Sequence, residues 1–382
     1  MGKSPVMQIQ IPCLFMRGGT SRGPFFNEED LPTDIPTRDR VLLAVMGSPD
    51  KRQINGLGGA HPLTSKVGIV RRSEVVGVDV DFLFAQLQPD RDTVDTTPNC
   101  GNMLAAVVPF ALETGMVHAK GEVSTFRVLT RNTGMQCDIT VQTPGGRVNY
   151  EGNARIDGVP GTAAPIKINF LDTAGSVCAG LLPTGHVRDT VTVDGAGFAT
   201  FTIDVTCIDN GMPLVIMRAV DLDRTGYETV SELNNDEVLK ARLEALRLKC
   251  GTLMGLGDVT AKNYPKMCLI SSPKHGGSIS TRCFIPHVCH DAIGVLAAVT
   301  VGTACVMQGS VTTGIAEVPP SSPKTISVEH PTGEFSVELE IDPHNAQNVT
   351  SAALLRTARL IMRGDVMIPA AAWPSRDDQE TA

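Results

Sequence analysis

Two stretches of this chain are apolar on every helical face, and each follows a polar cluster that contains a thiol. The first covers residues 103–112, Met-Leu-Ala-Ala-Val-Val-Pro-Phe-Ala-Leu, and is entered through Asn99-Cys100-Gly101-Asn102. The second covers residues 292–307 and is entered through Cys289-His290-Asp291. A helix with no polar face has no surface position to take, so both are expected to be buried all round. They begin roughly 190 residues apart, which predicts a duplicated unit. Each half of such an α+β chain would wrap sheet around one helix, with the helix N-termini facing a cleft. Pro109 interrupts the first run; it should cost about 3 kcal/mol or bend the helix.

Cys100 stands where the first helix begins, among backbone N–H groups without intrahelical partners and at the positive end of the helix dipole. A thiol there ionises more readily than a free one, and the same N–H groups suit a carboxylate. The other reading makes Asn99 an N-cap, Cys100 a small buried hydrophobe and Gly101 a turn residue.

At 382 residues the chain has room for two domains, and 42% hydrophobic against 19% charged residues mark a folded protein. A net charge of −8 without any basic run speaks against a nucleic-acid surface. Ten cysteines without a C-x-x-C pair, after an opening Met1-Gly2-Lys3-Ser4-Pro5 that is not an apolar signal, predict free thiols in a cytoplasm and no structural disulfide. The two apolar runs are rich in Ala and Gly, and no membrane span is expected. Nor is a metal site, because the histidines and cysteines lack paired ligand spacing.

An opening strand over residues 7–16 leads into Arg17-Gly18-Gly19-Thr20-Ser21-Arg22-Gly23. Two glycines allow close backbone approach, and two arginines with two hydroxyls offer donors for carboxylates; a plain hairpin turn with solvated arginines is the alternative. Further on, Gly56-Leu57-Gly58-Gly59-Ala60-His61-Pro62-Leu63-Thr64-Ser65-Lys66 precedes a strand at 67–70. This is neither a P-loop nor a dinucleotide fingerprint, because the third glycine is misplaced and no helix follows. Lys66 is either a solvated strand end or, if the strand opens into a cleft, a desolvated amine able to act as a base.

The remaining pattern predicts a helix at 38–46 and strands at 75–87, 123–128 and 135–141. A turn-rich region follows at 145–161, and an Ala, Gly and Pro-rich crossover lies near 175–185. The second half is expected to hold strands at 189–193, 200–208, 210–217 and 267–272. A surface helix at 234–250, capped by Asn234 and ended by Gly251, presents Val238, Leu239, Leu243 and Leu246 as a stripe. The tail reads as strands at 325–328 and 335–341, a helix at 351–362 and a last strand at 365–368. Residues 1–184 form the first domain and 185–364 the second, with 365–382 returning to the first.

Four motifs together resemble the PrpF family of cofactor-independent isomerases: Met16-Arg17-Gly18-Gly19-Thr20-Ser21-Arg22-Gly23, Gly58-Gly59-x-x-Pro62-Leu63-Thr64-Ser65-Lys66-Val67, Asn99-Cys100-Gly101-Asn102-Met103 and the closing Gly364-Asp365-Val366-Met367-Ile368-Pro369. The similarity runs over nearly the whole chain. Ile11 to Ser21 and Val41 to Asp50 resemble the branch of that family acting on an unsaturated tricarboxylic keto acid in bacterial aromatic-acid breakdown. The resemblance implies a diaminopimelate-epimerase-like fold: two similar domains, each a curved mixed sheet wrapped around a buried central helix, with the active site between them. Epimerases and racemases of this fold carry a cysteine at each helix start. Here the second helix is entered through Val288-Cys289-His290-Asp291-Ala292-Ile293, without a Cys-Gly-Ser or Cys-Gly-Thr signature, which points away from a racemase.

The resemblance implies Lys66 and Cys100 as the acid–base pair. It further implies substrate contacts from Arg17, Thr20, Ser21, Arg22, Ser65, Asn99, Gly101, Asn102 and the backbone N–H of Met103, with Arg282 and His290 from the second half. His290 reads equally well as a packed helix-start histidine. No cofactor or metal is expected, and the partner is a small anionic tricarboxylate keto acid. Nucleic acid and membrane are not expected partners, and an assembly of like subunits is left open.

Overall fold

A computed structural model of the chain describes residues 8–171, 173–342 and 345–374; Met7, the first residue of the expected opening strand, lies outside them. Chain contacts divide it into two compact units, one running up to Ile168 and resuming at Arg356, the other Asn169–Leu355. The stretch at 175–185 lies inside the second unit. In chain order the elements are β1 (Gln8–Gly18), β2 (Ser21–Asn27), α1 (Ile35–Met46), β3 (Lys66–Arg72), β4 (Val80–Leu87), β5 (Val94–Asp95), α2 (Gly101–Leu104), α3 (Val107–Glu113), β6 (Val123–Thr130), β7 (Gln136–Gln142) and β8 (Ile166–Phe170). They continue as β9 (Asp189–Val193), β10 (Phe201–Asp209), β11 (Pro213–Arg218), α4 (Val230–Asn234), α5 (Glu237–Leu253), β12 (Lys266–Ser271), β13 (Ile279–Phe284), α6 (Val295–Val306), β14 (Lys324–His330), β15 (Gly333–Asp342), β16 (Asn345–Arg356) and β17 (Ala358–Pro369). The class is α+β, with mixed sheet and few helices.

In the first unit β1 pairs antiparallel with β2, β2 parallel with β3, β3 antiparallel with β4, β4 parallel with β6 and β6 antiparallel with β7. In the second, β10 pairs antiparallel with β11, β11 parallel with β12, β12 antiparallel with β13, β13 parallel with β14 and β14 antiparallel with β15. The succession is the same. The helices fall at the same joints: α1 follows β2 as α4 and α5 follow β11, and α2 and α3 follow β4 as α6 follows β13.

Strands covered on both faces read as continuous apolar runs rather than alternating ones. In the second unit Val215 and Met217 of β11 and Met267 and Leu269 of β12 join the cluster under α5. Their neighbours Leu214, Ile216, Cys268 and Ile270 join the cluster around α6. Helix α6 is buried at every position from Ala297 to Cys305, as an all-apolar helix must be.

The first apolar run is not one helix. It divides into α2 and α3 across Ala105 and Ala106, whose N–H groups bond three residues back to Asn102 and Met103. Pro109 explains the break: it has no N–H to offer the carbonyl of Ala105, and its ring crowds that position in a regular helix. The helix expected at 234–250 also divides. Thr229 and Glu232 form a capping box for α4, and Asp236, not Asn234, caps α5 by accepting from Leu239 N–H at 2.9 Å. Gly251 sits inside α5, which continues to Leu253.

Two further expectations are overturned. Residues 351–362 are strand in β16 and β17, although Ala, Leu and Arg there favour helix. β17 pairs with β1 from Gln8↔Pro369 to Gly18↔Ala358, and that ladder outweighs local propensity. The strand expected from residue 75 starts only at Val80, because Gly77 turns the chain at φ 82° and leaves Val76 fully exposed.

Helix α5 has a sharp test. Leu246 is wholly buried whereas Val238 is half exposed, so Val238 lies off the core stripe. Leu246→Ala should destabilise by about 2–5 kcal/mol, and Val238→Ala should stay within about 0.5 kcal/mol. Urea unfolding of the two variants compares them.

Candidate active site

Lys66 is the first residue of β3, where alternate side chains take opposite faces. Val67 and Ile69 enter the cluster under α1. Lys66 therefore shares its face with Gly68 and Val70. That face belongs to α3: a Cβ on Gly68 would lie 2.4 Å from the Phe25 ring, which sits 5.9 Å from the ring of Phe110. Cys100 is the N-cap of α2. The Lys66 Nζ donates to Cys100 Sγ at 3.5 Å, and each residue is only 8% exposed. Lys66 Nζ also lies 5.1 Å from the centre of the Phe84 ring.

Around this pair the backbone is held by close packing. The Cys100 side chain makes no cap bond, so the first-turn N–H groups of Gly101, Asn102 and Met103 carry no side-chain cap. Asn99 Oδ1 accepts from Cys100 N–H at 3.0 Å and fixes the approach to the turn. The β1–β2 hairpin lies directly on it. A Cβ on Gly18 would fall 2.3 Å from the Asn102 carbonyl oxygen, one on Gly19 2.2 Å from Asn102 Oδ1, and one on Gly23 1.8 Å from the Lys66 carbonyl oxygen. Asn102 Nδ2 donates to Thr20 Oγ1 at 2.9 Å, while its Oδ1 and the Ser21 hydroxyl are buried without a partner among the described residues. Exchanging the two ends of the Asn102 amide would let Thr20 donate and leave the NH₂ unpartnered, so either orientation leaves one amide atom for a ligand. Unpaired buried polar atoms cost about 1–3 kcal/mol each and gather where something else is meant to bind.

Other expected residues have different employment. The Ser65 hydroxyl reaches Gln53 Oε1 and the His61 carbonyl, both at 2.9 Å. Gln53 also accepts from Ala60 N–H and donates to Ser48 Oγ, so it braces the glycine-rich loop that delivers Lys66. Nothing in the sequence pattern singled out Gln53, a lone amide in a polar loop. Arg17 alternates with Gly18 and so points to the face away from Asn102, where its Nη1 donates to the Gly19 carbonyl and to the carbonyl and hydroxyl of Thr357. Arg22 is exposed, its guanidinium 5.8 Å from the Phe15 ring centre. Arg282 and His290 belong to the second unit. Arg282 is held by the Glu228 and Thr281 carbonyls, and burial pushes its pKa down. His290 is exposed, its Nδ1 accepting from Ala292 N–H.

Chemically the first unit offers a proton donor and a proton acceptor in contact, beside hydrogen-bonding atoms open to an anion. Gly23→Ala should move the Lys66 backbone, since the obstructing atom is main chain, and should lower both melting temperature and activity. Gly364→Ala, where an added Cβ meets nothing within 4 Å, should change neither; thermal melts and rate assays on the two variants test the contrast.

Among the described residues no group of three or more His, Cys, Asp or Glu side chains is gathered as a metal site requires, and all ten cysteines are free. Among the described residues no helix is long and apolar enough to cross a membrane. The chain is 53% identical to a (4E)-oxalomesaconate Delta-isomerase of Novosphingobium sp. (strain KA1), over 94% of this chain and 97% of that one. It is 52% identical to a 4-oxalomesaconate tautomerase of Pseudomonas putida, over 96% and 98%. The crystal structure of a methylitaconate-delta-isomerase superposes with a TM-score of 0.82 at 34% identity, covering 96% of this chain and 97% of that one. The model of the PrpF protein family matches residues 8–369, and the chain belongs to that family.

Proposed function

We propose that this chain is an isomerase that moves a carbon–carbon double bond in 4-oxalomesaconate by 1,3-proton transfer, in the bacterial breakdown of aromatic acids. The observation that carries the reading is the buried contact of 3.5 Å between Lys66 Nζ and Cys100 Sγ at an uncapped helix start. The names of the two relatives above half identity supply the substrate. In fold terms each unit is one diaminopimelate-epimerase-like half, a curved mixed sheet around a buried central helix. Ten free cysteines suit a reducing cytoplasm.

The substrate carries an acidic C–H conjugated through a double bond to a carbonyl. Lys66, as the neutral amine, takes that proton; the electron pair of the C–H bond moves into the carbon framework and gives a dienolate. Cys100 then delivers its S–H proton to the carbon at the other end of the allylic system. No electrons are gained or lost overall, so the chemistry is proton transfer alone. After turnover Lys66 is an ammonium and Cys100 a thiolate, and a proton passing across their contact resets both. Negative charge builds on oxygen in the intermediate, where preorganised donors act most strongly. The Ser21 hydroxyl, the free end of the Asn102 amide and the N–H groups of Gly101 and Met103 are the donors at hand.

The pair also supports the opposite assignment, because a thiolate at a helix start beside an ammonium is electrostatically favoured. Proton NMR in deuterated water separates the two. With Lys66 as base, Lys66→Met stops both turnover and exchange of the acidic substrate proton, while Cys100→Ser cuts isomerisation by roughly 10²-fold or more yet keeps exchange. Exchange lost in the cysteine variant and kept in the lysine variant reverses the roles. The same assay with aconitate and methylaconitate fixes the substrate: turnover of those acids alone would sink the oxalomesaconate assignment. Thermal stabilisation by oxalomesaconate without deuterium uptake would make the protein a binder rather than an enzyme.

A further inference from the structure

Arg17 of β1 and Arg359 of β17 stand directly opposite each other in the antiparallel ladder. Residues in register share a face, so both guanidinium groups rise from one side of the sheet. It is the side opposite Gly18, hence away from Asn102 and from the Lys66–Cys100 pair. There the two arginines line a cavity of about 500 Å³ together with Tyr150, Ile156, Val159 and Leu360. Lys66, Cys100, Ser21 and Asn102 do not line it.

Like charges opposite each other on a ladder repel, and burial together with Arg359 lowers the Arg17 pKa. The hydrogen bonds of Arg17 all leave from Nη1, so its Nε–H and Nη2–H groups have no part in holding Gly19 and Thr357. Among the described residues the one acidic residue in the lining is Glu151, so two cations meet a single carboxylate. Ala154, Ile156, Val159, Pro160 and Ala163 supply the apolar part of the wall. A cavity of this size, its wall shared about equally between apolar and polar surface with two charged groups converging on it, has room for a small molecule.

We propose that this cavity binds a small monocarboxylate with a compact apolar body, its carboxylate bridging Arg17 and Arg359 and its body lying on Ile156, Val159 and Pro160. The bridge turns a repulsive cross-strand pair into two charge-assisted hydrogen-bonded ones. The site is separate from the Lys66–Cys100 chemistry and does not depend on the substrate proposed for it. It does share Arg17 with the hairpin that closes on Asn102.

Benzoate is a suitable probe, titrated into the full chain by calorimetry and by saturation-transfer NMR. Saturable binding is expected, weakened by roughly tenfold or more in Arg359→Gln. Val159→Trp, which fills the apolar end and leaves both charges, should weaken it likewise. Acetate, with the charge but no body, should bind less well than benzoate, and tricarballylate, an unreactive tricarboxylate, should not displace benzoate. The proposal is overturned by absence of saturable binding, by Arg359→Gln binding as well as the parent chain, or by displacement with tricarballylate, which would put the benzoate at the other site. Melting temperatures of both variants, expected to match the parent, separate lost binding from lost fold.

Discussion

The close approach of the β1–β2 hairpin to two other pieces of backbone is the contact on which the site depends. Gly18 and Gly19 leave room for Asn102 on one side, and Gly23 leaves room for the Lys66 carbonyl on the other. One short hairpin therefore touches both the turn that carries the thiol and the strand that carries the amine. No side chain fits between them. The result is a rigid spacing set by main chain rather than by rotamers, which is the kind of precision proton transfer asks for.

That spacing also decides how the pair is solvated. With both residues nearly buried, neither group can rely on water to carry its charge, and the nearest partner of each is the other. A proton moved from one to the other converts a neutral pair into an ion pair within one hydrogen bond. The open first-turn N–H groups of α2 lie at the thiol end and favour negative charge there. The Phe84 ring lies near the amine end and favours positive charge there. Both surroundings favour the ion pair, so in the proposed cycle the return to amine and thiol is the step that works against them.

How much of this was legible in the sequence depends on whether a feature is local. The thiol at a helix start, the lysine at a strand mouth and the glycine pair before a hydroxyl cluster are local, and all fall where the pattern put them. The apolar strands were legible as strands, yet a run buried on both faces does not tell which side faces which helix. Parity along β3, anchored by Val67 and Ile69 under α1, is what turns Lys66 toward Cys100. The direction of Arg17 was hidden for the same reason: it alternates with Gly18 and so faces away from Asn102. Residues 358–362 read as helix because the partner that makes them strand, β1, lies some 340 positions away along the chain, while 351–354 pair with the neighbouring β15. Gln53 was invisible because its importance is a set of hydrogen bonds, not a type or a spacing.

The matching succession of strands in the two units makes a comparison within the molecule possible. Lys266 opens β12 as Lys66 opens β3, and Gly294 caps α6 where Cys100 caps α2. A Cβ on Gly294 would lie 3.6 Å from Lys266 Nζ, so the lysine of the second unit also reaches its helix start. What has gone is the sulfur. The nearest preceding thiol, Cys289, is turned into the core under α5, where burial pushes its pKa up to about 12. Two thiols at two helix starts suit exchange of a proton between opposite faces of one carbon. A single thiol, with its amine beside it in the same unit, places donor and acceptor next to each other, and adjacent groups suit removal and return of a proton at two carbons of one allylic system rather than inversion at one.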